Sequence, residues 1–215
     1  MANIFPKWTN ALPIKAVVCL AVTVVFLAVG ITYYCTQKYT AVGYQPIQSV
    51  AFSHEVHVGQ LGMDCRYCHV FADVAAHAST PTTQSCMACH TQILPDSPRL
   101  APVRESWKTG APIRWTRIHK SPDFVYFNHA AHVNRGVGCT DCHGSVNQMP
   151  VVFQDKSLSM SWCLGCHRNP APALRPPTDV FSPSPTPPSC SRQPGQTLRD
   201  AWKVNPTSNC GGCHR

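Results

Sequence analysis

The sequence predicts one N-terminal transmembrane helix followed by a small, mostly α and irregular domain with little β, packed around bound groups rather than around an apolar core. Three observations predict this. Residues Ala16 to Tyr34 contain no charged side chain. The pattern Cys-x-x-Cys-His occurs five times, at Cys65–His69, Cys86–His90, Cys139–His143, Cys163–His167 and Cys210–His214. The chain has 20 Pro and 12 Gly in 215 residues and few long apolar runs, so the part after the apolar segment cannot build an ordinary core of packed helices or sheets.

The apolar segment comes first. Its 19 residues as a helix span roughly 28 Å, enough for a hydrocarbon layer of about 30 Å. Lys7 and Lys15 precede it, and no Asp or Glu occurs before Glu55. The positive-inside rule then puts the N-terminus in the cytoplasm and the rest on the periplasmic, outer side of the cytoplasmic membrane. Tyr33 and Tyr34 suit the far interface. Ala28-Val29-Gly30 has the small-x-small pattern of a signal-peptide cleavage site, so a removed signal is the alternative. The reading adopted is a retained single-pass anchor over residues 1–35.

Cys-x-x-Cys-His is the attachment pattern of a c-type haem. Two cysteines three residues apart lie on one side of a helical turn, and each can bond a haem vinyl group. The His that follows presents its imidazole to the iron as proximal ligand. The thioether residues are Cys65 and Cys68, Cys86 and Cys89, Cys139 and Cys142, Cys163 and Cys166, and Cys210 and Cys213. The proximal ligands are His69, His90, His143, His167 and His214. A zinc ribbon or a redox dithiol would explain one Cys-x-x-Cys, but neither requires a His directly after all five. The expected cofactor is therefore five haem c.

Ten of the 13 cysteines belong to these motifs, leaving Cys19, Cys35 and Cys190. Cys19 and Cys35, in or beside the apolar segment, read as small apolar packing residues. Cys190 has no assigned role. The formal charge of +8 invites a nucleic-acid or anionic-surface reading. Haem propionates would offset that charge, and no nucleic-acid motif is present, so nucleic acid is not an expected partner.

The haem-bearing part contains an internal repeat. Phe52-Ser53-His54-Glu55-Val56-His57 heads the motifs at Cys65 and Cys86, and Phe127-Asn128-His129-Ala130-Ala131-His132 heads those at Cys139 and Cys163. The expected organisation is a four-haem domain over 36–168, built from two-haem units 52–90 and 127–167. A basic segment, 91–126, joins them and carries Trp107 and Trp115. It reads as a solvated basic loop, with a docking surface as the alternative. Asp123 to Phe127 is the best short extended stretch. Residues 169–215 form a Pro-rich extended tail that ends in the fifth haem site.

Each iron takes a second axial ligand. Six of the 11 His lie outside the motifs: His54, His57, His77, His119, His129 and His132. His-x-x-His places two rings on neighbouring faces of a turn, where they can serve two different irons. His54 is assigned to the Cys65/Cys68 haem and His129 to the Cys139/Cys142 haem, with His57 and His132 reaching across to others. His77 suits the Cys86/Cys89 haem. The second copy has no matching His but has Met149, a softer ligand that raises the potential, as candidate for the Cys163/Cys166 haem. Met160 is its competitor, and both can equally be packing residues. His119 either serves the last haem or is left over.

Phe52–His57, Arg117–His132 (RIHKSPDFVYFNHAAH), Gly136–Gly144 (GVGCTDCHG) and Leu158–Arg168 (LSMSWCLGCHR) resemble the membrane-anchored pentahaem cytochrome c subunit of bacterial alternative complex III. The resemblance covers roughly residues 50–168, with the anchor and the last motif in addition. It implies an electron-transfer subunit with no catalytic site of its own. Its partners would be integral-membrane quinol-oxidising subunits and an iron–sulfur subunit. Its electrons would pass to a monohaem cytochrome c, a copper protein or an oxidase.

Two rival functions are weighed against this wire. A self-sufficient membrane-anchored quinol dehydrogenase feeding a periplasmic reductase needs a haem at the membrane surface with an open or unusual ligand. A catalytic reductase needs an iron with a vacant position. All five motifs end in His, and the spare ligands outnumber the irons, which favours transfer over chemistry.

Overall fold

The computed structural model describes residues 6–35, 40–183 and 192–214, with side chains from 195 onward in the last stretch. Cys190 and prolines 185, 187 and 188 lie outside the described residues. The chain divides into two units, 1–41 and 42–215.

The first unit is helix α1 (Leu12–Tyr34), entered through a 3-10 turn at Lys7–Ala11. Pro13 sits in the first turn of α1, where its missing N–H leaves no bond unmade. Thr23 and Thr32 donate their hydroxyls to the carbonyls of Cys19 and Ala28, at 2.8 and 2.7 Å, so the helix satisfies its own polar groups. None of its residues is buried, and apolar side chains cover every face. The helix is long and apolar enough to cross a membrane, as an anchor or as a signal sequence.

The second unit is made of short helices and irregular chain. Its helices are α2 (Cys65–Cys68), α3 (Thr83–His90), α4 (Ala101–Thr109), α5 (His129–Val133), α6 (Cys139–His143), α7 (Met160–Arg168), α8 (Arg192–Ala201) and α9 (Cys210–Cys213). Every motif therefore starts on a helical turn. Polar caps fix where several begin: Asp64 accepts from Arg66 N, Asn128 from Ala131 N and Ser159 from Trp162 N. Among the described residues the only β-pairing is two isolated bridges, Val125 with His214 and Val137 with Leu174. The stretch expected to be extended, 123–127, is a turn followed by one of these bridges.

Apolar burial is sparse. One small cluster joins Val50, Met87 and Val103, with Cys86, Leu100, Ile113 and Trp115 packed against it. It includes part of segment 91–126, which is not a solvated loop throughout. Helix α4 docks Val103 into the cluster and stops at Gly110 in the left-handed region, φ +73°. Arg104 turns inward and bonds the carbonyls of Pro95 and Ser97, both at 2.8 Å.

The tail is not extended throughout either. Pro170 and Ala171 are buried, Leu174 and Val180 are buried behind them, and α8 packs on the turn at Ala171–Ala173. Gly195 meets the carbonyl of Ala171 where any Cβ would collide. Pro194 falls in the first turn of α8, where proline needs no hydrogen-bond donor. This is why a Pro-rich composition did not prevent a helix.

Candidate haem sites

The two His-x-x-His segments are built alike. Phe52 meets His54 edge-on at 4.8 Å and 86°, and stacks on His57 at 4.3 Å and 26°. Phe127 meets His129 edge-on at 4.8 Å and 86°, and stacks on His132 at 4.5 Å and 30°. In each copy the Phe ring holds the two imidazoles apart and fixes their planes.

Three of these rings face a motif histidine. The centroids of His57 and His90 are 6.2 Å apart, those of His129 and His143 6.4 Å, and those of His132 and His167 6.1 Å. Two imidazoles on opposite sides of one metal atom, each nitrogen about 2 Å from it, have centroids about 6.3 Å apart. The spacing fits one iron between each pair. His54 lies close enough to His69 and His57 to feel their charge. Among the described residues no three His, Cys, Asp or Glu converge as a zinc site demands. Paired rings suit haem, whose macrocycle supplies the other iron ligands.

The second nitrogen of most of these rings is tied down. Seven imidazoles place Nδ1 against a backbone carbonyl: His57 on Ser53, His69 on Ser79, His90 on Ile93, His129 on Ala76, His132 on Asn128, His167 on Thr207 and His214 on Phe124. These contacts run from 2.5 to 3.3 Å. A carbonyl only accepts, so Nδ1 carries the proton and Nε2 keeps its lone pair for a metal. Burial, helped by neighbouring imidazoles, pushes His54 down to about 4 and His143 to about 3. Burial also lowers His119 and His132. A ring that resists protonation is available as a ligand.

The thiols tell the same story. Burial raises Cys68, Cys86, Cys163 and Cys166, and pushes Cys142 up to about 12. A thioether has no proton to lose, so burial costs it nothing of this kind. Two clefts open beside the motifs. One of about 510 Å³, lined by Val58, Met63, Asp64, Arg66, Pro177 and Phe181, adjoins Cys65. One of about 320 Å³, lined by Thr140, Gly144, Gln148, Met149, Phe153 and Lys156, adjoins the Cys139–His143 helix.

The other candidates are placed less tightly. His77 is exposed and joins no ring pair among the described residues. His119 lies edge-on to His143 at 4.4 Å, with its Nε2 buried and without a hydrogen-bond partner. His214 has Phe124, at 5.5 Å, as its ring neighbour. Met149 is 5 % exposed, lines the smaller cleft, and accepts Glu55 N at its carbonyl. Met160 is exposed at the start of α7.

Sequence reading missed Arg175. It is buried, and it donates to Thr140 Oγ1 at 2.8 Å and to Asp141 Oδ1 at 3.1 Å, both inside the third motif. Gly138 leaves room for its guanidinium where a Cβ would collide. The signal was Asp141 itself, an acid between two motif cysteines that needs a cation.

The model of the family described as cytochrome c7 and related cytochrome c matches residues 50–100 and 125–215. The chain belongs to this family. Its cofactor is covalent haem c, and its activity is electron transfer by a multihaem cytochrome. The chain is also similar to the menaquinone reductase multiheme cytochrome c subunit of Nitratidesulfovibrio vulgaris, with 36 % identity over 135 residues. That match covers 62 % of this chain and 58 % of the relative, so the chain spans little more than half of the relative's length.

Proposed function

We propose that the chain binds five haem c, one at each Cys-x-x-Cys-His, and relays electrons within a membrane complex that exchanges them with a quinone. The observation that carries this is the set of three ring pairs at 6.1–6.4 Å, in which five of the six rings, all but His143, commit Nδ1 to a backbone carbonyl. Haem iron supplies the one-electron ferric/ferrous couple when bound. The chain's own residues do the rest. His69 with His54, His90 with His57, His143 with His129, and His167 with His132 would hold four of the irons. Phe52 and Phe127 stack on His57 and His132 and orient them. His132 facing His167 favours an imidazole over Met149 at the Cys163/Cys166 site, and leaves Met149 a packing residue.

The direction favoured by the resemblance to alternative complex III is quinol oxidation. Integral-membrane subunits and an iron–sulfur subunit would feed this chain, and a cytochrome c, a copper protein or an oxidase would receive its electrons. The single apolar helix would hold the chain on the outer face of the inner membrane. A second reading has a specific ground: the relative's name is a menaquinone reductase, which runs electrons toward the quinone. One experiment separates them. The complex is purified from gently solubilised membranes by a tag on this chain, and its haem α-band is followed. Reduction of the haems by added quinol supports oxidation. Reoxidation of pre-reduced haems by menaquinone, with no response to quinol, supports the reverse. No response to either sinks the quinone-linked reading.

A further inference from the structure

The order of the five motifs in space is not their order in the chain. The segments between and after the motifs tie specific pairs together. The Cys65 thiol donates to the carbonyl of Phe181 at 3.7 Å, and Cys139 N donates to the carbonyl of the preceding residue, Val180, at 3.3 Å. The first and third motifs are therefore neighbours. Backbone bonds from His129 and Ala130 to the carbonyls of Ala76 and Ala75, both 3.1 Å, join the same two regions a second time.

The remaining links are equally local. His54 and His57 share Phe52, and His57 faces His90, which sets the first and second motifs side by side. His129 and His132 share Phe127 and face His143 and His167, which sets the third beside the fourth. His167 bonds the carbonyl of Thr207, and the Thr207 side chain packs against Gly212 inside the last motif. The fourth and fifth motifs are neighbours.

We infer that the motifs run in single file in the order Cys86, Cys65, Cys139, Cys163, Cys210, with the electron ports at the Cys86 and Cys210 ends. The exposure of the cysteines supports this independently. Of the ten motif cysteines, only Cys89 and Cys210 are exposed, and they belong to the two terminal sites. Exposed apolar side chains flank the same two ends: Ile93 and Leu94 beside His90, and Phe124 and Tyr126 beside His214. A redox partner approaching either end meets apolar side chains beside an accessible edge.

The inference rests on the five-haem reading, and its test keeps the two apart. Crystals of the full-length chain with its haems are measured at the iron edge, and each anomalous peak is assigned to its Cys-x-x-Cys-His. The expected result is five irons, with nearest-neighbour pairs second–first, first–third, third–fourth and fourth–fifth. A Cys86 iron whose nearest neighbour belongs to the third, fourth or fifth motif overturns the order, as does a path that follows the sequence. Fewer than five irons overturns the five-haem reading instead, and the order is then judged on the pairs that remain.

Discussion

The two His-x-x-His heads have nearly superimposable ring geometry, while the protein around them differs. In the first copy the charged pair beside the motif, Asp64 with Arg66, has side chains 46 % and 52 % exposed. In the second, Asp141 with Arg175 is 21 % and 6 % exposed. His54 leaves its Nδ1 buried and without a hydrogen-bond partner, while His129 finds the carbonyl of Ala76. The comparison separates two sources of order. A turn with one aromatic ring sets ligand geometry, so duplicating the sequence duplicates it. The tail touches both copies, with Phe181 against Cys65 and Arg66 in the first, but only in the second does it supply a buried charge, Arg175.

The largest effect tests the shared part. His57→Ala and His132→Ala each convert one haem in five from low-spin to high-spin, read by near-infrared magnetic circular dichroism on the oxidised protein. If only His57→Ala does so, Met149 completes the fourth site and the copies are not equivalent. Next comes the part that differs. Arg175→Ala strands Asp141 and takes away a buried guanidinium. Thermal unfolding of the holo-protein should show a loss of about 3 kcal/mol. The corresponding change in the first copy, Arg66→Ala, should cost less than about 1 kcal/mol, because that pair is solvated. Equal losses would mean the tail does not distinguish the copies. Between these in size lies Val103→Ala, about 2 kcal/mol in the same measurement, from the small cluster that backs the Cys86 motif. A volume-conserving change is Met149→Leu. It conserves volume in a buried site, should cost under about 1.5 kcal/mol, and should leave every low-spin band in place.

The five motifs, the repeat and the apolar N-terminal helix were legible in the sequence because each is a local pattern. The six spare histidines were legible as candidates, since their number against the irons was visible. Their partners were not. His57 faces His90 across 33 residues and His132 faces His167 across 35, and only the folded chain brings them together. Composition misled in two places. Prolines hid the helix at Arg192–Ala201 because proline is harmless in a first turn. Basic residues hid α4, whose buried face is carried by Val103 and Ser106, while its Arg104 bonds the carbonyls of Pro95 and Ser97. Arg175 was invisible because its partner, Asp141, lies 34 residues away.

The carbonyl bonds on Nδ1 have one more consequence. An imidazole held at one nitrogen by a main-chain oxygen and at the other by a metal has no freedom to swing. When the charge at the metal changes by one electron, such a ring hardly moves. The reorganisation energy of each hop is then small, and hops between nearly equal potentials stay fast in both directions. The chain would conduct reversibly, and the net direction of current would be set by what docks at its ends.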